Sequence, residues 1–285
     1  MGQNKFGAFI LTHGRPDKVV TYQSLRKQGY TGPIWIVVDN EDKTIGQYRD
    51  RFGDQVIVFD KAAVAARIDA GHNFADRRAV IYARNASFDI AEQLGLDYFL
   101  QLDDDYERFL FKFSAGLEWK ELLVKNLDRL FDTVLTYYQD IPALSIALAQ
   151  NGDFIGGGVG TNASKIWLKR KAMNTFFCAT KRPFQFMGRV NEDVNTYTWR
   201  GHVGSLFFTV MQVSLIQSRT QQTAGGMSEM YLAEGTYRKS FYTILYAPSC
   251  VSIGEIGYKH RRIHHMIDWD KAVPRIVREE LRKVA

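Results

Sequence analysis

Four nearly continuous apolar runs, separated by segments of helical period, constrain the fold more than any other feature of the chain. They are FGAFILTH (residues 6–13), PIWIVVDN (33–40), DQVIVFD (54–60) and DYFLQL (97–102). Strands that are apolar on both sides belong to a sheet covered on both faces. Between them, residues 17–28 read as a helix with Val20, Ser24 and Leu25 on one side and Gly29 as its stop. Residues 76–94 carry a second helical stripe through Val80, Ile81, Ala83, Ala86, Phe88, Ile90, Ala91 and Leu94, closed by Gly95. Alternation of this kind predicts an α/β fold with a doubly wound, mostly parallel central sheet flanked by helices. Ligands of such sheets bind beyond the carboxyl ends of the strands.

The pattern changes further along. Residues 119–139 read as one amphipathic helix, with Leu122, Leu123, Leu127, Leu130, Phe131 and Leu135 on its apolar side. LSIALAQNGDFIGGGVGTN is a strand running into a glycine-rich loop, and residues 166–186 are dense in aromatic and basic side chains. A strand over 206–216 precedes the polar stretch QSRTQQTAGGMSEM and a tail rich in histidine and arginine. No repeat and no long linker divides the sequence. The expectation is one domain over 1–285, with a nucleotide-binding half, 1–110, and a more irregular half, 111–285.

A chain of 285 residues that is 46% hydrophobic can bury the core this requires. Cys178 and Cys250 are the only cysteines, which excludes a disulfide scaffold or a cysteine zinc cluster and fits a reducing cytoplasm. The N-terminal stretch lacks the features of a signal peptide, and no window reaches the ~18 apolar residues of a membrane span. A soluble cytoplasmic protein with no membrane partner is expected. The net charge of +6 is compatible with a polyanionic partner without requiring one.

Chemistry is concentrated where strands end. His13 to Arg15 follow the first run, Asp39 follows the second, and Asp103, Asp104 and Asp105 follow the fourth. In an extended chain Asp103 and Asp105 share a side, and two converging carboxylates suit a hard divalent cation bridging phosphate oxygens. The bland alternative is a solvated loop that caps the next element. In RRAVIYARN, Arg77 and Arg84 are spaced to share one helix face with Asn85 beside them, either to hold a diphosphate and brace the aspartates or as a solvated basic face. Glu192 and Asp193 are adjacent, so one can act as a base while the other holds structure. Glycines 156–158 and Gly160 allow close backbone approach but match neither a P-loop nor a dinucleotide fingerprint. His260, His264 and His265 lie among Lys259, Arg261 and Arg262, as metal or phosphate ligands or simply as surface.

LTHGRP, LDDDY, the glycine loop, NED and a C-terminal histidine, in that order, resemble a GT-A-fold glycosyltransferase. More narrowly, FILTHGRPDKVVTYQSLRKQGYTGPIWIVVDNEDK with YFLQLDDDY is similar to the phage TET-associated glycosyltransferases. The resemblance extends over roughly residues 6 to 270. It implies a GT-A-like, Rossmann-like fold and transfer of sugar from a UDP-sugar to 5-hydroxymethylpyrimidine in phage DNA, with Mn2+ or Mg2+. Inversion is expected, replaced by retention if neither acidic residue reaches the acceptor. The resemblance places Thr12, His13, Gly14, Arg15 and Asp39 around the nucleoside, with Arg77, Arg84 or Asn85 at the diphosphate. Asp103 would meet ribose or metal and Asp105 the metal; Asp104 is counted with the nucleotide-sugar-binding residues, although strand geometry turns it away to brace an arginine or the backbone. Asp193, or Glu192 beside it, would be the base, and His264 or His265, before His260, would complete the metal or leaving-group site. Gly157, Gly158, Lys169, Arg170 and Arg182 would receive the acceptor, with Lys165, Lys171 and Lys181 tracking its backbone. Trp167, Phe176, Phe177, Phe184 and Phe186 would stack a base that is flipped out or single-stranded, the bland alternative being a loop region whose aromatics are partly core. The rival readings are a glycosyltransferase acting on a glycan or small molecule, a sugar-nucleotide pyrophosphorylase without its signature loop, and a non-catalytic DNA-binding protein with a structural ion.

Overall fold

The structure is a computed structural model that describes residues 5–71, 77–116, 118–154, 166–167, 171–172, 175–217, 239–256, 261–279 and 282. Its first half contains β1 (Phe6–Leu11), α1 (Val20–Lys27), β2 (Ile34–Asp39), α2 (Ile45–Phe52), β3 (Val56–Phe59), the short α3 (Lys61–Ala65), α4 (Ile81–Gln93) and β4 (Tyr98–Asp103). The four strands run parallel in the order β3-β2-β1-β4. Their side chains alternate between two cores. Ala8, Ile10, Ile36, Val38, Leu100 and Leu102 face one cluster with residues of α1 and of α5 (Leu127–Asp140). Phe9, Leu11, Val37 and Phe99 face the other, with residues of α4. That two-sided burial explains why the strands read as unbroken apolar runs.

The pairing of Leu11 with both Val37 and Asp103, and of Asp39 with Phe59, aligns the carboxyl ends of all four strands. The chain therefore leaves the sheet at one edge at Thr12, Asn40, Asp60 and Asp104. Elements beyond β4 widen the sheet in mixed orientation. They are β5 (Tyr106–Phe113), β6 (Trp119–Leu123), α5 (Leu127–Asp140), β7 (Ala143–Gln150), β8 (Ile166–Trp167), β9 (Phe176–Ala179), α6 (Glu192–His202) and β10 (Leu206–Gln217). The ten-stranded order continues β4-β9-β7-β10-β5-β6, with β8 on β10, and only β7 and β10 among these pair in parallel. A helical stretch, α7 (239–246), leads to a separate hairpin of β11 (Val251–Ile256) and β12 (Arg262–Ile267), followed by α8 (Trp269–Ala272). No described helix is long and apolar enough to cross a membrane.

Two expectations are corrected. Residues 119–123 form β6 rather than the first turns of a helix, because Leu123, Leu122 and Trp119 pair with Leu110, Phe111 and Phe113 of β5. The helix starts only after Asn126, whose side chain caps the Arg129 amide at 2.9 Å, and Leu122 and Leu123 are left partly exposed on the edge strand. Likewise α4 begins at Ile81, so Arg77 precedes the helix and shares no helical face with Arg84.

Candidate active site

The aspartate turn between β4 and β5 is held by a polar stripe on α1. Thr21 donates its hydroxyl to the Asp103 carbonyl at 2.6 Å and accepts the Tyr106 amide at 2.8 Å, while its own amide donates to the Asp104 carbonyl at 3.1 Å. Ser24 donates to the Glu107 carbonyl at 2.8 Å, and buried Gln28 bonds both backbone groups of Phe109 and the Val124 carbonyl. Helical spacing puts these three residues on one face, so the first helix fixes the direction in which the three carboxylates leave the sheet.

Each aspartate has a different environment. Asp104 is buried and turns toward the loop after β1, accepting the Thr12 hydroxyl at 2.6 Å and the Arg15 guanidinium at 2.7 Å. Burial raises its carboxyl to about 6 against the opposing pull of Arg15 and Thr12. It is a brace rather than a free ligand. Asp103, part-exposed, accepts one Arg84 nitrogen at 3.0 Å. Asp105 accepts the Gln217 amide at 3.1 Å on Oδ2, but its buried Oδ1 has no hydrogen-bond partner among the described residues. Burial, followed by the Asp103 charge, pushes Asp105 up to about 7. A buried, unpaired carboxylate oxygen held near other carboxylates calls for a cation, so Asp105 with Asp103 fits a divalent metal. Among the described residues, His264 and His265 included, no three His, Cys, Asp or Glu side chains gather as a metal site.

The loop after β1 is built as a second charged cluster. His13 Nδ1 lies 2.7 Å from Asp39 Oδ2, and the Gly14 amide, in a positive-φ turn, donates to Asp42 at 2.6 Å. Tyr48 joins the Thr12 hydroxyl and accepts the Arg15 amide, both at 2.9 Å. Buried Lys61 approaches Asp39 at 3.3 Å. The hydrogen bond to Asp39 raises the His13 pKa. Burial alone would raise Asp39, but the bond from His13 and the Lys61 charge outweigh it and hold that carboxyl low. Asp42, Tyr48 and Lys61 are not among the site residues expected from sequence. The strand-end rule applied to β3 reaches Lys61, one residue beyond Asp60.

Arg84 is the hub on the opposite side. Its guanidinium is almost fully buried, with Nε 2.9 Å from Glu192 Oε1 and NH2 3.0 Å from Asp103 Oδ1. It lies over the rings of Phe176 and Phe186, and NH1 has no partner among the described residues. Burial disfavours its charge, yet Asp103 and Glu192 raise its pKa. Glu192 and Asp193 begin α6, both buried despite being neighbours. Burial, then the Asp193 charge, lifts Glu192 to about 7 against the pull of Arg84. Asp193 is also raised by burial; its Oδ1 accepts only the adjacent Val194 amide at 2.8 Å. Glu192 is thus engaged by Arg84, and Asp193 has no hydrogen bond to another side chain among the described residues.

Several expected residues lie elsewhere. Arg77 pairs with Glu41 rather than facing the aspartates. Asn85 spends its amide on Ile81 and on both backbone groups of Phe186, so it braces that loop. Arg182 donates to the carbonyls of Tyr138, Ile141 and Ala143 and stacks on Tyr138, which staples α5 to β7. Phe176, Phe177, Phe184 and Phe186 are core residues and cannot stack a base. Lys171 pairs with Asp153 at 2.9 Å. His264 and His265 lie on β12, with rings 4.1 Å apart. Gly157, Gly158, the rest of the glycine loop, Lys165, the Trp167 side chain, Lys169, Arg170 and His260 fall outside the described residues.

The sequence profile described as TET-associated glycosyltransferase matches residues 6–226. No curated protein matches the chain. Among solved structures, the mannosyltransferase PcManGT from Pyrobaculum calidifontis, in complex with GDP-Man and Mn2+, is similar at 12% identity and a TM-score of 0.47, over 80% of this chain and 60% of that one. The chain thus spans less than two thirds of that relative. Glucosyl-3-phosphoglycerate synthase from Mycobacterium tuberculosis, in complex with Mn2+, UDP and phosphoglyceric acid, is similar at 8% identity and a TM-score of 0.46, over 93% and 87%. S. aureus TarS 1–349 in complex with UDP-GlcNAc gives 12% and 0.45, over 85% and 66%.

Proposed function

The chain belongs to the TET-associated glycosyltransferase family, and from that premise we propose that it transfers a sugar from a nucleotide-sugar donor, a UDP-sugar, to the hydroxyl of a 5-hydroxymethylpyrimidine in phage DNA. The observation that carries the reading is the unpaired Asp105 oxygen at the end of β4, beside an Asp103 that Arg84 ties directly to the acidic start of α6. One end of that arrangement suits a donor diphosphate with its cation, and the other suits an acceptor hydroxyl.

In this reading Asp105 and Asp103 would hold Mn2+ or Mg2+, which when bound would supply positive charge against the departing nucleoside diphosphate. His13, with Asp39 and Lys61 fixing it, lines the nucleoside side together with Thr12, Gly14 and Arg15. Arg84 carries no diphosphate itself; it holds Glu192 and Asp103 in register from the buried side. Asp193 takes the proton of the acceptor hydroxyl as the hydroxyl oxygen attacks the anomeric carbon and the sugar–phosphate bond breaks. A base on the acceptor side gives inversion. Glycines 157 and 158 with Lys169 and Arg170 stay assigned to the acceptor side on the family resemblance.

The test presents a panel of labelled UDP-sugars with hydroxymethylated DNA, single-stranded and duplex, in the presence of Mn2+. Digestion to nucleosides and mass spectrometry then locate the label. A glycosylated hydroxymethylpyrimidine nucleoside is expected. Donor hydrolysis with no labelled nucleoside would remove DNA as the acceptor and favour transfer to a glycan or small molecule.

A further inference from the structure

β10 ends at the same edge of the sheet as the aspartate turn. Two antiparallel steps, β4 to β9 and β9 to β7, restore the direction of β4, and β10 runs parallel to β7. The last residue of β10, Gln217, therefore stands at the carboxyl edge where Leu11, Asp39 and Asp103 end their own strands.

The ladder between β10 and β5 breaks its register at this point. Leu215 pairs with Phe109 and Ile216 with Arg108, but Gln217 pairs with Tyr106, so the pairing passes over Glu107. One extra residue on one strand is a β-bulge, which re-aims a side chain beside a site. Here it brings Gln217 one residue nearer to Asp105 than an unbroken ladder would. The bulge is held from its other side by α1, where Ser24 donates to the Glu107 carbonyl at 2.8 Å and Thr21 accepts the Tyr106 amide at 2.8 Å.

The result is a carboxylate with two unequal oxygens. Gln217 Nε2 donates to Asp105 Oδ2 at 3.1 Å. Oδ1 of the same carboxylate is buried and has no hydrogen-bond partner among the described residues. An ionised carboxylate only accepts hydrogen bonds, so the amide nitrogen is the end of Gln217 that suits it.

We propose that Gln217 is a positioning residue for the cation site: it holds Asp105 Oδ2, fixes the rotation of the carboxylate, and leaves Oδ1 alone to meet the ion. The assignment rests on the reading above in which Asp105 and Asp103 would hold Mn2+ or Mg2+. Groups that hydrogen-bond a ligating carboxylate govern metal affinity nearly as strongly as the ligands themselves. They govern metal choice as well. Mn2+ and Mg2+ suit octahedral sites of single oxygens, whereas Ca2+ readily takes both oxygens of one carboxylate. A carboxylate with one oxygen spent on an amide therefore favours the smaller ions.

Titration of the full chain with Mn2+, with and without UDP and against a blank of UDP alone, tests the assignment. Binding is read from the electron paramagnetic resonance of the free ion, and Ca2+ is then added as a competitor. Gln217→Met, close in size, is expected to weaken Mn2+ binding by about 10- to 100-fold. Ca2+ should lose much less, so the preference for Mn2+ over Ca2+ narrows. Gln217→Asn keeps the amide but falls one methylene short, and it should shift both quantities the same way by a smaller amount. Mn2+ affinity unchanged in both variants, with the wild type binding the ion, would overturn the role of Gln217 and leave the metal reading standing. Equal losses of Mn2+ and Ca2+ in both variants, with a lower melting temperature in metal-free buffer, would also overturn it, since Gln217 would then only keep the turn folded. A wild type that binds no Mn2+ with or without UDP would bring down the metal reading and this assignment with it.

Discussion

Arg84 concentrates more of the site's energetics than any other side chain, because a buried guanidinium between two carboxylates cannot lose one partner cheaply. Arg84→Met leaves Asp103 and Glu192 without their shared cation and should destabilise the fold by about 3–5 kcal/mol, measured by urea unfolding; Arg84→Lys should recover part of it. The aspartates separate by role in the same way. Asp104→Ala removes the brace on Thr12 and Arg15 and is expected to cost about 3 kcal/mol of stability. Asp105→Ala should leave stability nearly unchanged in metal-free buffer, cut donor turnover by ~100-fold or more, and abolish the rise in melting temperature that Mn2+ gives the wild type. A full manganese response in Asp105→Ala would sink the metal assignment. The acidic pair of α6 sets a pH dependence with a definite sign. With Glu192 raised to about 7 and Asp193 raised with it, the folded protein binds more protons than the unfolded chain between roughly pH 4 and 7. Stability contributed by the pair is therefore complete at low pH and is lost as pH rises through about 7, while activity needing an ionised base rises over the same interval. The acid limb of kcat/KM, compared between wild type and Glu192→Gln, checks this; the apparent value belongs to the pair.

At the level of elements, α1 acts as a clamp on the strand that carries the aspartates. Gln28 spends three hydrogen bonds on backbone groups of Phe109 and Val124. Gln28→Leu, close in size, should cost about 1–3 kcal/mol by leaving those buried groups unmet, and it should raise the donor KM by loosening the aspartate turn. The stripe is legible as Thr21, Ser24 and Gln28 at helical spacing, but polar residues on the inward face of a helix read as surface until their backbone partners are known. The junction of α6 with α8 is tight in a different way. A Cβ at Gly201 would meet the Ala272 carbonyl oxygen at 2.1 Å, so Gly201→Ala must push α8 off α6. The expected penalty is about 1–3 kcal/mol, with a fall in protection of α8 amides seen by hydrogen exchange.

On the scale of the whole molecule, the central sheet runs without a break from β3 to β6. The hairpin of β11 and β12 lies outside it and rests on a small cluster of Ala247, Cys250, Val251 and Ala272. Native-state hydrogen exchange should therefore show the hairpin opening at lower free energy than β1, β2 and β4. A common protection level across both would contradict that division. Legibility from sequence follows the same boundary. The parallel strands, their order of ends and the aspartate turn are readable because local apolar runs and strand-end placement carry the signal. The reach of Arg182, Asn85 and the phenylalanines of residues 176–186 is not, because a basic or aromatic side chain looks the same in sequence whether it faces a ligand or fills a core. Residues 119–123 mislead for a related reason: an edge strand and a helix both tolerate spaced leucines, and only the partner strand decides.

By itself the sequence determined the α/β class, the edge of the sheet where polar residues collect, and the presence of two acidic groups worth relating, since those follow from periodicity and from where strands stop. The tertiary structure alone decided that one buried arginine joins those groups, that the partners Asp104 braces are Thr12 and Arg15, and that Asp105 keeps an unpaired oxygen. Pairing between residues 92 and 108 positions apart depends on burial and on which strands become neighbours, and neither is encoded in any local stretch of chain.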